Sequence, residues 1–525
     1  MLFRQLETLG LLTLTSSVSA IPHSPRQNGD AFPVPNYSPD QGRADAVKEA
    51  FQFGWDGYMK HAFPHDSLKP VDNGFEDDRN GWGATAIDAL STAIIMGNRE
   101  AVNSILDHIA EVDFSYSAED VSFFETSIRY LAGMLSGYDL LDGPASDLID
   151  GDQSKIEPVL QQAKALGDLL KVAFSTPSGL PVNGLEFQGN GTSIRHDDPQ
   201  SGAVVIDLLL EWQRLSDLTG DPEYGELDKK AVEYLINDPQ PPENVPWPGL
   251  IGTNWDPNTG KAVDADGGWV SGMDSHYEYL IKAYLYNKED FQAHRDAWSL
   301  AADSSIAHLA SQPSSRDDIT FLAAYSNQTL DFRSEHLACF HGGNFILGGT
   351  TLGNQKLVDF GLNLTNGCHE TYIQTATGLG PGGWNWQDAK TGENAPPDEE
   401  LDNYNERGFW ITGSDYALRP EVIESYYYAY RVTGDTMYQD WAWDAFVNIN
   451  STCRTGSGFA ELLDVDDLEG GFNNLQDTFF FAEVLKYLYL IFSEEADWQF
   501  KVDQTNTFVF NTEAHPIRLA NDGTG

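Results

Sequence analysis

Positive charge is what this 525-residue chain has least of: 31 Lys and Arg stand against 80 Asp and Glu, a formal net charge of −49. Such a surface repels phosphate backbones and anionic headgroups, which argues against any nucleic acid partner. Cysteine is scarce as well. Cys339, Cys368 and Cys453 are the full set, so one disulfide at most can form and a packed core must hold the fold. Beyond residue 20 no apolar run is long enough to span a bilayer, and stable membrane insertion is not expected. Low-complexity blocks, a nucleophilic serine elbow, a phosphate-cradling glycine loop and zinc-type His/Cys spacing are all missing, which removes the commonest nucleotide, acyl-transfer and zinc chemistries.

What is present is ample core material, 41% hydrophobic and 12% aromatic residues, the composition of a chain folded almost throughout. Residues 1–20 place Arg4 before a leucine-rich stretch (Leu9, Leu11, Leu12, Leu14) and close with Val18-Ser19-Ala20. That layout is a secretory signal peptide, although Glu7 intrudes beside the apolar stretch. Asn190, Asn327, Asn363 and Asn450 open glycosylation sequons that agree with the secretory pathway, and a secreted, extracellular or vesicular location is expected. A flexible segment over 21–40, a single catalytic domain over 41–516 and a tail over 517–525 complete the division. Monomer is the default expectation.

Between residues 121 and 138, Val121, Phe124, Ile128, Leu131, Leu135 and Tyr138 recur with helical spacing and form one apolar face. Similar stretches near 41–60, 84–96, 154–174, 202–219, 272–286, 289–310, 354–364, 420–432, 436–448 and 477–493 imply roughly a dozen or more helices. Short breaks such as Thr219-Gly220-Asp221-Pro222 and Thr433-Gly434-Asp435 favour antiparallel helical hairpins. No repeat consensus is legible, so a closed ring of hairpins fits better than a solenoid. The acidic, proline-containing stretch 381–405 reads as a long loop over one end.

The recurring chemical feature is carboxylates at helix positions beside aromatic residues. Paired carboxylates are what glycoside hydrolysis requires, one to protonate the leaving oxygen and one to activate water or attack. Glu125 lies beside an apolar face one turn before Arg129, which is either a surface ion pair or a carboxyl in a partly buried aromatic setting. Ser275 and Glu278 form a capping box, a sufficient structural reason for that glutamate, while Asp274 at the helix mouth has none. Glu421 and Glu424 follow Pro420 on one helical face and precede Tyr426, Tyr427 and Tyr428, where the helix dipole alone would also favour acids. Asn511-Thr512-Glu513-Ala514-His515-Pro516 is by composition only a turn, near an end that would normally fray.

Taken together these segments resemble the class I α-mannosidases, the inverting α-1,2-mannosidases of glycoside hydrolase family 47, most closely the secreted fungal ones. Five blocks stand in the family's order: Gly81-Trp82-Gly83-Ala84-Thr85 through Ile95-Met96-Gly97, the helix from Glu125 to Tyr138, Asp274 to Leu280, Leu418-Arg419-Pro420-Glu421, and Phe510 to Pro516. The resemblance implies an all-α (α/α)7 barrel of concentric helical hairpins with a few short β-hairpins. It further implies Ca2+ bound through Thr512, an oxygen-rich shell of the kind that cation takes. Carried over residue by residue, Glu125 is the general acid, Asp274 an acid acting through water or a charge partner, and Glu421 the general base. Arg129, His336, Arg419, Glu424, Phe479, Glu483 and Glu513, with Glu211 less securely, form the sugar pocket. Phe479 could instead be core and His336 a backbone partner. Cys339 and Cys368 match the family's disulfide, which leaves Cys453 a free thiol.

Two positions depart from the pattern. Many relatives have an acid after the Gly-x-Gly-Pro turn where this chain has Gly382, and members that remove one particular mannose carry arginine where it has Gly272. The expected activity is therefore exo-trimming of several terminal α-1,2-mannoses from high-mannose oligosaccharides or glycoproteins. A mannose-binding, lectin-like homologue with little turnover is the alternative, motivated by Gly382.

Overall fold

The computed structural model describes residues 32–195, 200–237 and 244–520. The proposed signal peptide, residues 1–20, and most of the flexible segment lie outside the described residues. Chain order alternates an outer helix with an inner one, starting at outer Gln41–His61 and inner Ala84–Ile95. Inner helices are buried on more than one face: every residue of Ala84–Ile95 and of Phe340–Thr351 is buried, polar ones included. Outer helices bury one stripe, as Gln41–His61 does through Val47, Phe51, Trp55 and Tyr58. Burial on two sides against burial on one is what sorts the chain into concentric layers.

Each inner helix packs on the next, through Ala132–Leu141, Leu209–Thr219, Asp274–Tyr286, Phe340–Thr351, Glu421–Thr433 and Leu485–Phe492, and the last returns to Ala84–Ile95. The ring is closed, and the expected (α/α)7 barrel is the observed architecture. Gly220 and Gly434, read as hairpin breaks, cap their helices in the left-handed region at φ 70° and 68°. Close approach between layers uses glycine as well: a Cβ on Gly348 would lie 2.1 Å from the Trp298 ring.

Helices Arg99–Glu111, Glu223–Ile236 and Phe340–Thr351 fall outside the stretches expected from periodicity. The last of these is buried on every face, so no single apolar stripe marks it. The 381–405 loop is more ordered than expected. Strand Gly383–Asn385 pairs antiparallel with both Arg333–Glu335 and Trp410–Gly413, and helix Leu401–Arg407 begins inside the stretch. Cys339 and Cys368 are bonded, and Cys453 is a buried free thiol. Asn190, Asn327 and Asn363 are exposed, whereas Asn450 is half-buried and its Oδ1 accepts from Arg454 at 2.9 Å.

The terminal turn does not fray. Strands Phe508–Phe510 and Pro516–Arg518 form a hairpin whose tip, 511–515, enters the barrel. Asn511 Oδ1 accepts from the backbone N–H of Glu513 and His515 at 3.0 and 2.8 Å, while its amide donates to Glu211 Oε1 at 2.8 Å. Lys486 Nζ caps the Ala514 carbonyl at 2.6 Å. Buried polar partners, which composition cannot reveal, hold this turn against the helices.

Candidate active site

Inside the ring lies a cavity of about 380 Å³. Its lining draws on segments far apart in sequence: Arg79, Glu125 and Arg129, then Gly272, Asp274 and Glu278, then Arg419, Glu421 and Glu424, then Asp477, Phe479 and Glu483, and at last Thr512 and Glu513. The three expected catalytic carboxyls and the expected cation ligand therefore share one chamber. Two expected pocket residues stand behind its wall. Glu211 is fully buried and accepts from Tyr279 and Asn511, bracing the terminal turn. His336 places Nδ1 2.8 Å from Glu421 Oε2 and Nε2 2.7 Å from the Tyr372 hydroxyl, so both ring nitrogens meet side chains, not a backbone group, and it orients Glu421.

Glu125 sits in the first helical turn, its N–H accepted by Ser122 Oγ at 3.2 Å. Arg129 Nε donates to Glu125 Oε2 at 2.7 Å, and Arg79 Nε stands 3.7 Å from the same oxygen. The Arg129 side chain is 6% exposed, so this pair is not the solvated surface contact that its spacing alone would suggest. Burial pushes the Glu125 carboxyl up, but the guanidinium groups of Arg129 and Arg79 outweigh it and hold the group below the usual glutamate range.

Arg79 owes its place to Asp66. That buried carboxylate accepts from the backbone N–H of Arg79, Gly81, Gly83 and Ala84 at 2.8, 2.6, 2.9 and 3.0 Å and from the Tyr130 hydroxyl at 3.0 Å. The 79–84 loop is thereby pinned with the arginine toward Glu125. Sequence reading missed Arg79, because nothing local distinguishes it from any turn arginine; the informative partner lies thirteen residues upstream.

Asp274 opens helix Asp274–Tyr286, with Met273 as cap and no side-chain capping bond. The expected Ser275/Glu278 capping box is absent: Ser275 Oγ has no partner among the described residues, and Glu278 lines the cavity and pairs with buried Lys282. Burial raises the Asp274 carboxyl to about 7; the Ser275 N–H works against this and the nearby Glu278, Glu335 and Glu421 reinforce it. For Glu421 burial acts upward too, but the His336 contact and Arg419, 3.5 Å away, leave it below the usual range.

At the floor, burial together with Glu278 and Glu421 raises Glu424 to about 8, although Lys282 opposes the shift. Glu483 and Glu513 are raised well above the glutamate range, again first by burial. Glu513 Oε2 has no hydrogen-bond partner among the described residues. Several raised carboxyls, with an orphaned oxygen on the residue that follows Thr512 in the cavity lining, make a donor set suited to a hard cation. Among the described residues no three His, Cys, Asp or Glu side chains are placed to ligate a metal directly. Thr512, which lines the cavity with these acids, is the residue that would hold such a cation.

Phe479 lies between two guanidinium groups, Arg129 at 5.6 Å and Arg419 at 5.7 Å from its ring centre. At the rim a second depression of about 350 Å³ shares Ser271, Leu337 and Arg419 with the main cavity. There, a Cβ on Gly382 would come within 2.6 Å of Asp415 Oδ1. The Asp415 carboxylate occupies the space into which a side chain at 382 would extend.

A family model described as glycosyl hydrolase family 47 matches residues 50–519. A mannosyl-oligosaccharide α-1,2-mannosidase of Penicillium citrinum is 52% identical over 518 residues, 98% of each chain. A probable mannosyl-oligosaccharide α-1,2-mannosidase 1B of Aspergillus clavatus is 54% identical over 486 residues, 91% of this chain and 93% of that one. The solved structure of an α-1,2-mannosidase from Trichoderma reesei superposes with a TM-score of 0.89 at 48% identity, covering 92% of this chain and 100% of its own.

Proposed function

The chain belongs to glycosyl hydrolase family 47, and on that premise we propose that it is an inverting, exo-acting mannosyl-oligosaccharide α-1,2-mannosidase that trims several terminal mannoses from high-mannose N-glycans. The observation that carries this reading is the convergence of Glu125, Asp274, Glu421 and Thr512 on a single cavity.

Inversion needs one carboxyl protonated and another ionised, separated by room for water. Glu421, kept ionised by His336 and Arg419, is the base that takes a proton from the attacking water. Asp274, raised to about 7, stores the proton for the leaving oxygen. Glu125, which the family resemblance made the general acid, is ionised between Arg79 and Arg129 and instead accepts hydrogen bonds from sugar hydroxyls and favours positive charge developing at the anomeric carbon. The ring rests against Phe479, and Glu424, Glu483 and Glu513 receive its hydroxyls. Calcium, when bound at Thr512, supplies a fixed positive charge that sugar hydroxyls can coordinate.

Gly272 lines the cavity at φ 93° and brings no side chain into it, in keeping with acceptance of more than one branch end. Entry to the secretory pathway through residues 1–20, glycans on exposed Asn190, Asn327 and Asn363, and a monomeric working form belong to the same reading. No described helix is long and apolar enough to cross a membrane. The test is release of mannose from α-1,2-mannobiose and from an intact high-mannose glycan, followed by proton NMR. β-Mannose as the first product and successive loss of several residues are expected. Binding without release, α-mannose first, or arrest after one particular residue would contradict the proposal.

A further inference from the structure

Segment 77–82 has two faces. Arg79 turns into the catalytic cavity, whereas Asp77, Asn80 and Trp82 line a separate groove of about 570 Å³, closed on its far side by residues 108–119. Asn80 Nδ2 donates at 3.3 Å to Thr126 Oγ1, the residue after Glu125, so a single thickness of chain divides the two. Both are lined by residues at the end of the barrel where helix Ala84–Ile95 and the Glu125 turn begin.

The groove is a fixed shape. Trp82 is 5% exposed, its Nε1 donates to the Tyr116 carbonyl at 2.8 Å, and the Tyr116 backbone bridges to Gln188. On this anchored backbone the Tyr116 ring is nonetheless 58% exposed. It stacks on no other ring, and its hydroxyl has no partner among the described residues. Packing gives no reason for a large aromatic held open in this way. Asp77 is engaged by His65 at 2.9 Å and Asp113 by Ser115, but the Glu119 carboxylate accepts nothing among the described residues. An aromatic platform flanked by a free acceptor matches a sugar, whose C–H face is apolar and whose hydroxyls donate. The acidic rim excludes anionic ligands.

We propose that this groove is a second saccharide-binding site, which holds another mannosyl arm of the branched glycan while one terminal mannose occupies the catalytic cavity. The inference rests on the mannosidase reading, since it needs a branched, neutral substrate to span the Arg79–Trp82 wall. Tyr116 is an affinity determinant here and touches no reacting atom.

The experiment compares α-1,2-mannobiose, which has no second arm, with an intact high-mannose glycan, in the unaltered protein and in Tyr116→Ala and Tyr116→Trp. Tyr116→Ala is expected to raise KM for the glycan about fivefold, the loss typical of one truncated aromatic contact, with kcat and the mannobiose kinetics unchanged. Tyr116→Trp is expected to restore the glycan KM. An unchanged glycan KM in Tyr116→Ala, or an equal loss on both substrates, overturns the second site. Failure of the unaltered protein to hydrolyse either substrate overturns the mannosidase reading, and the groove's role with it.

Discussion

Glu125 and Asp274 line the same chamber, yet their walls treat a carboxyl in opposite ways. On the wall formed by residues 79–129, two guanidinium groups surround Glu125 and overcome its burial. On the wall opened by helix Asp274–Tyr286, Asp274 makes no ion pair among the described residues, has three other acids nearby, and rises to about 7. Depth is similar on both sides, so the deciding quantity is the count and sign of neighbouring charges. The difference teaches where the proton resides: two carboxyls of like chemistry, one ionised and one protonated, are told apart by the charges beside them.

The largest effect should come from removing either end of the proton path. Glu421→Gln and Asp274→Asn are each expected to lower kcat about 10³-fold with a small change in KM, in line with general acid–base roles. Steady-state kinetics on mannobiose checks this, and a pure KM effect would break the comparison. Next in size is the wall that keeps Glu125 ionised. Asp66→Asn replaces one acceptor oxygen with a donor facing backbone N–H groups, which should release the 79–84 loop and with it Arg79. We expect kcat to fall roughly tenfold, and Asp66→Asn with Arg79→Met together to cost little more than either alone, because both act through one contact. Additive losses would show that Asp66 acts elsewhere.

A titration sharpens the same contrast. Activity should fall as pH rises through about 7, where Asp274 loses its proton, and persist downward until Glu421 is protonated below the ordinary glutamate value. The floor acids add a stability signature. With Glu424 raised to about 8 and Glu483 and Glu513 also raised, the folded state binds more protons than the unfolded one above about pH 4.5, so stability is lost as pH rises toward the folded values. A bound cation offsets that loss, and chelation should therefore lower Tm more at neutral pH than near about pH 5. Calorimetry with and without chelator is the check; equal shifts at both pH values would remove the cation from the floor. The smallest effect expected is for Gly382→Glu, which must displace Asp415: a change of about two- to threefold in glycan KM with mannobiose kinetics preserved.

How much of this was legible in the sequence depended on whether the controlling partner was local. Glu421 and Glu424 could be paired from their shared helical face, and the helix breaks at Gly220 and Gly434 from their turn chemistry. Glu278 was legible as a capping acid and is not one, because Met273 caps the helix and leaves Glu278 free to face the cavity. Arg79 and Asp477 were unseen: their significance comes from contacts with Glu125 and Arg129 across the barrel. Thr512 had no local mark at all. Its role entered through family resemblance, and its surroundings were built by partners from helices hundreds of residues away, Tyr279 among them. Helix Phe340–Thr351 was likewise beyond periodicity, since it is buried on every side and shows no single apolar stripe.

Difference infrared titration tests most directly which carboxyl holds the proton, comparing the unaltered protein with Asp274→Asn and with Glu125→Gln. A protonated-carboxyl band with a midpoint near pH 7 is expected to vanish in Asp274→Asn and survive in Glu125→Gln. Loss of that band in Glu125→Gln and its retention in Asp274→Asn would contradict the assignment of the two walls.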